Sequence, residues 1–126
     1  MKRLLVFVLM VVVCANFCGC ALSTSRIQSN LSDTGYSIIE MDEERLNELN
    51  TELKYSYQGS GSIIKGFYAV NNDTNGSVTV LEFQNKDDLT LMYKMAKDSI
   101  NDGESVDLSG YVLVFGDKDG VKAALN

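Results

Sequence analysis

The chain has 126 residues with no His, Pro or Trp, and 17 Asp and Glu against 11 Lys and Arg give it a formal charge of -6. One small domain is the most this length holds, and so acidic a chain lacks the basic face that neutralises nucleic-acid phosphates. Absence of His removes the commonest general base and the commonest metal ligand, while 45% hydrophobic residues are enough for a folded core.

Lys2 and Arg3 precede an apolar run from Leu4 to Val13, followed by Cys14, Ala15, Asn16, Phe17, Cys18, Gly19 and Cys20. This is a basic start followed by a short apolar stretch. As a helix of about a dozen residues it spans roughly 18 Å, short of the roughly 30 Å hydrocarbon core, so it reads as a removable export signal. Phe17, Cys18, Gly19 and Cys20 resemble the lipobox of bacterial prolipoproteins, with Cys20 at the lipidated position. The resemblance implies cleavage after Gly19, a diacylglycerol on Cys20, and a place on the outward side of the cell membrane or outer membrane. Two acyl chains at about 0.8 kcal/mol per methylene come to roughly 20 kcal/mol, an effectively permanent anchor. The alternative is an ordinary signal cut near Ala21 that releases a secreted protein. All three Cys lie at or before position 20, so the folded part holds no disulfide, no Cys-ligated metal and no thiol nucleophile.

Residues 20–34 (CALSTSRIQSNLSDT) are mostly polar and read as the lipidated Cys and a flexible tether, reaching about 20 Å on average. A domain over 35–126 follows. Tyr36 to Met41 is a β-branched run, and Asp42 opens a helix to about Tyr55 with Glu43 and Glu44 in its first turn and an apolar stripe of Leu46, Leu49 and Leu53. Gln58 to Ser62 is a break. Ile63 to Val70 and Ser77 to Gln84 are strands around Asn75-Gly76, a hairpin signal. Asn85 caps a second helix in which Leu89, Met92, Ala96 and Ile100 keep helical spacing. After Asp102-Gly103 a polar loop leads to a last strand, Tyr111 to Phe115, and Val121 to Leu125 is a short final helix.

The order strand, helix, strand, strand, helix, strand is similar to the ferredoxin-like arrangement. That resemblance implies an α+β two-layer sandwich, a four-stranded antiparallel sheet with its helices on one face. It carries no activity with it. In such a fold each strand alternates apolar and polar, yet here both sides are apolar, as with Tyr111, Leu113 and Phe115 against Val112 and Val114. An uncovered apolar face marks an interface, with Tyr36, Ile38, Tyr68, Tyr111 and Leu113 as its candidate residues. The bland explanation is that the tether or the final helix covers it.

The expected function is a membrane-anchored, non-catalytic binding or assembly module, with a homodimer or an envelope protein as partner and no nucleic acid. No cofactor or metal motif occurs. Asp117, Asp119 and Gly120, like Asp73, Asn75 and Gly76, resemble pieces of a calcium loop but lack its full spacing and read as turns. Glu44, Glu48 and Glu52 form an acidic row, read as a solvated face. The three glycosylation sequons, at Asn30, Asn72 and Asn75, carry little weight beside a bacterial export signal. The rival readings are a small carboxylate-dependent envelope enzyme and a binder of divalent cations or envelope polymer.

Overall fold

The computed structural model describes residues 22–126. Residues 1–19, expected to be an export signal, and the lipidation candidate Cys20 lie outside the described residues. In chain order the elements are α1 (Thr24–Asp33), β1 (Ser37–Glu40), α2 (Glu43–Tyr57), β2 (Ile63–Asn71), β3 (Gly76–Phe83), α3 (Lys86–Ser99), β4 (Glu104–Ser109), β5 (Val112–Asp117) and α4 (Lys118–Ala124). The class is α+β, built on one five-stranded antiparallel sheet in the order β1-β2-β3-β5-β4.

Each helix begins where a side-chain oxygen takes an orphan backbone N–H. Ser23 accepts from Arg26 N at 3.2 Å, Asp42 from Arg45 N at 2.8 Å, Asn85 from Asp87 N at 2.7 Å, and Asp117 from Gly120 N at 2.8 Å. The end of α2 is set by Gln58, which takes a left-handed conformation at φ 62°. The β2–β3 hairpin turns through Asn75 at φ 59°, as its Asn-Gly pair favours.

The sheet differs from the four-stranded expectation. The polar stretch after α3 is a strand, β4, in which Val106 and Leu108 alternate with Ser105, Asp107 and Ser109. It pairs with β5 alone, and an edge strand needs only a thin apolar face to hold its place. The first half departs from the ferredoxin-like pattern as well. There α2 links two strands that are direct antiparallel neighbours, so no crossover is made. The second half keeps one, because β3 and β4 run parallel with β5 between them and α3 as the link.

Helices cover both sheet faces. On one side α1 and α4 bring Ile27, Leu31, Val121 and Ala124 onto Phe67, Ala69, Val78, Val80, Val112 and Val114. On the other, α2 and α3 bring Leu53 and Leu89 onto Ile63, Leu81, Phe83 and Leu113. Residues 24–33, expected as part of a tether, are therefore a structural layer: Ile27 and Leu31, one helical turn apart, are both fully buried. This is why the strands are apolar on both sides. Gly120 lets α4 approach closely, since a Cβ there would run into Val78 Cγ2 and lie 2.8 Å from the Tyr36 hydroxyl.

Candidate functional site

The sheet has two distinct ends. At one, β2 and β5 finish and β3 and β4 begin; the tip carries the β2–β3 turn with Asp73, the turn before β4 with Asp102, and the β5–α4 junction with Asp117 and Asp119. A depression of about 340 Å³ lies here among Thr34, Tyr36, Asn71, Thr74, Asp117 and Asp119.

Its floor is fixed by one carboxylate. The Tyr36 hydroxyl donates to both oxygens of Asp117, at 3.0 and 3.1 Å, while Gly120 N donates to Oδ1 at 2.8 Å. Burial and this hydrogen bond push the Tyr36 phenol up to about 12, so it stays protonated at neutral pH. The rim is built by the hairpin turn. Asn71 Oδ1 accepts from Asp73 N at 3.0 Å and Thr74 N at 3.3 Å, and Thr74 Oγ1 accepts from Gly76 N at 3.2 Å. That leaves the Asn71 amide nitrogen and the Thr74 hydroxyl as donors beside the exposed Asp119 carboxylate, while the Thr34 hydroxyl already donates to the Asn30 carbonyl and can only accept. Donors and acceptors alternating over a small concave surface suit a hydroxyl-rich ligand, with few polar groups setting its orientation.

The opposite end holds a second constellation, and it is structural. Asp88, 2% exposed, accepts from Ser60 N and Oγ at 2.8 and 2.8 Å and from Ser62 N and Oγ at 2.9 and 2.7 Å. Burial pushes this carboxyl up, but the Ser62 and Ser60 hydrogen bonds outweigh it and hold the group below the usual carboxylate range. A Gly- and Ser-rich loop over a helix start is a setting in which anions bind. Here the anion is the protein's own side chain, and it is already saturated.

The five residues expected to share an open sheet face do not share one. Tyr36 is 7% exposed and, with Ile38, belongs to the α1–α4 side, whereas Leu113 is fully buried in the α2–α3 side. The Tyr68 hydroxyl accepts from Arg45 Nε at 2.9 Å. Tyr111 alone projects, at 52% exposure, from the β4–β5 turn. The open apolar face is thus corrected: α1 and α4 occupy it. Periodicity could not have singled out the Tyr36–Asp117 pair, because its partners stand 81 residues apart.

The acidic row of α2 is exposed, and Arg45 tempers it through an ion pair with Glu48 at 3.0 Å. The two calcium-like fragments are the cap of α4 and the β2–β3 turn. Among the described residues no group of three or more His, Cys, Asp or Glu is placed to hold a metal ion, and no helix is long and apolar enough to cross a membrane. Set against protein-family models, curated proteins and solved structures, the chain gives no match.

Proposed function

We propose that the protein is a lipid-anchored extracytoplasmic lipoprotein whose folded part is a non-catalytic binding module of the envelope. Export and acylation rest on the lipobox-like Phe17-Cys18-Gly19-Cys20. The observation that carries the rest is polarity along the sheet. Chain entry at Leu22 is tied to the end of β4 by a hydrogen bond from Leu22 N to Ser109 Oγ at 2.8 Å, and the polar depression lies at the other end of the same sheet. An anchor on Cys20 holds the first end at the membrane and presents the second to the envelope.

Two facts favour binding over catalysis. Asp88 and Asp117 are both engaged in holding the fold, and the Tyr36 phenol sits far above neutral pH. The ligand class suited to the depression is a hydroxyl-bearing envelope polymer. A titration of isotope-labelled residues 21–126 with soluble glycan fragments of the envelope tests this. Shifts confined to Thr34, Asn71, Thr74 and Asp119 support the reading; shifts elsewhere, or none at millimolar glycan, contradict it.

A further inference from the structure

We infer that the sheet end at which Leu22 enters rests on the lipid surface, with Tyr111 and Ile64 in contact with the interface; this builds on the lipid anchor at Cys20 proposed above. Covalent geometry sets the distance. Only Ala21 separates Cys20 from Leu22, and two residue steps span at most about 7 Å. Leu22 is itself held against the domain through Ser109 Oγ, and Thr24, the first residue of α1, is buried with its hydroxyl 3.5 Å from Glu82 Oε1. The span of roughly 20 Å that a fourteen-residue coil would give is absent, because α1 consumes it. A diacyl chain seated in the bilayer therefore brings the nearest part of the domain to headgroup level.

The nearest part is suited to that position. Ser109, Gly110, Tyr111, Val112, Phe83 and Gln84 surround Leu22 in a shallow recess. Phe83 N donates to Tyr111 O at 2.9 Å and Phe83 is in register with Ile63, so the exposed Ile64 follows directly along the same end of the sheet. Tyr111 is 52% exposed and Ile64 50%, and Leu108 on the edge strand is also exposed. An aromatic ring with a polar tip beside aliphatic side chains is the composition favoured at a bilayer interface. One acid, Glu82, lines the recess itself and faces the Thr24 hydroxyl, whereas Asp73, Asp102, Asp117 and Asp119 lie at the far end, beyond an eight-residue strand of about 26 Å. That exceeds the Debye length of about 8–10 Å, so their repulsion from anionic headgroups is screened.

The mature chain offers a clean test, since no Cys follows Cys20. Tyr111→Cys, Ile64→Cys and Asp73→Cys variants of the full chain are purified from membranes, labelled with a thiol-reactive fluorophore and reconstituted into vesicles containing doxyl-lipid quencher. Intact mass of the same samples reads acylation. Labels at positions 111 and 64 should lose at least half their emission, and the label at 73 almost none. Acylated protein in which all three labels are quenched alike overturns the inference and leaves the lipid anchor standing. Protein without acyl mass overturns both. The two membrane-end variants back each other up if one fails to fold.

Discussion

The Asp88 Oδ2 atom accepts from both the backbone nitrogen and the hydroxyl of Ser62, at 2.9 and 2.7 Å, and so joins the start of α3 to the loop that ends α2. Ser60 adds the same pair of bonds, so one buried carboxylate closes a loop that has no backbone ladder of its own. Asp88→Asn replaces an acceptor with a donor facing other donors. The expected cost is about 2–3 kcal/mol in urea unfolding, against less than about 0.5 kcal/mol for Asp87→Asn on the exposed side of the same turn.

The same residue sets an acid dependence. Its carboxyl is held below its ordinary value of 3.8, so folding favours the ionised form. That contribution is complete above the unfolded value and is lost as pH falls through the folded one. Unfolding midpoints measured from pH 6 downwards should show the gap between the native chain and Asp88→Asn narrowing below about pH 4.

Tyr36 sets the opposite dependence. Its phenol is raised from 10.0 to about 12, so folding favours the neutral form. The stability it confers is present in full below pH 10 and disappears as pH rises towards 12. Two pH units correspond to roughly 2–3 kcal/mol. Tyr36→Phe gives up the bond to Asp117 at neutral pH, and its stability should fall less steeply between pH 10 and 12 than that of the native chain.

Docking of α1 is testable by truncating its two anchors. Ile27→Ala and Leu31→Ala each remove a fully buried side chain from the core. Each should lower unfolding free energy by about 2–4 kcal/mol and open residues 22–34 to proteolysis. Unchanged stability would mean that this segment is the tether its composition suggests.

Close backbone approach governs one further site. Gly116 adopts φ +147° in β5, and a Cβ there would collide with Ser77 O of β3. Gly116→Ala should cost at least about 2 kcal/mol in thermal or urea unfolding, whereas Gly103→Ala, which has open space but also a positive φ, should lose only the smaller backbone-strain share.

Much of the fold was legible in the residues. Asp42 and Asn85 announced two helices and Asn75-Gly76 the hairpin, whereas the doubly apolar strands read as leaving one sheet face open as an interface, with its cover as the alternative. The cover of the second face was legible only as the alternative to an open interface: the tether segment and the final helix do occupy it, but the helix α1 itself was not legible, because it offers only Ile27 and Leu31 within a Ser-, Asn- and Thr-rich stretch whose helix is stabilised by packing, not by its own propensity. β4 escaped for a related reason: an edge strand with Ser105, Asp107 and Ser109 on one face looks like a loop until β5 is beside it. The depression was invisible for another reason. Thr34, Tyr36, Asn71, Thr74 and Asp117 come from separate parts of the chain, and only the sheet registers bring them together.

The account rests on an acylated Cys20 standing directly before a folded domain. Intact mass of the protein extracted from membranes of its own host, with sequencing of its N-terminal peptide, reads this in one step. The account predicts a chain spanning residues 20–126 whose first residue carries the mass of a diacylglycerol. A chain that starts elsewhere and carries no acyl mass would contradict it.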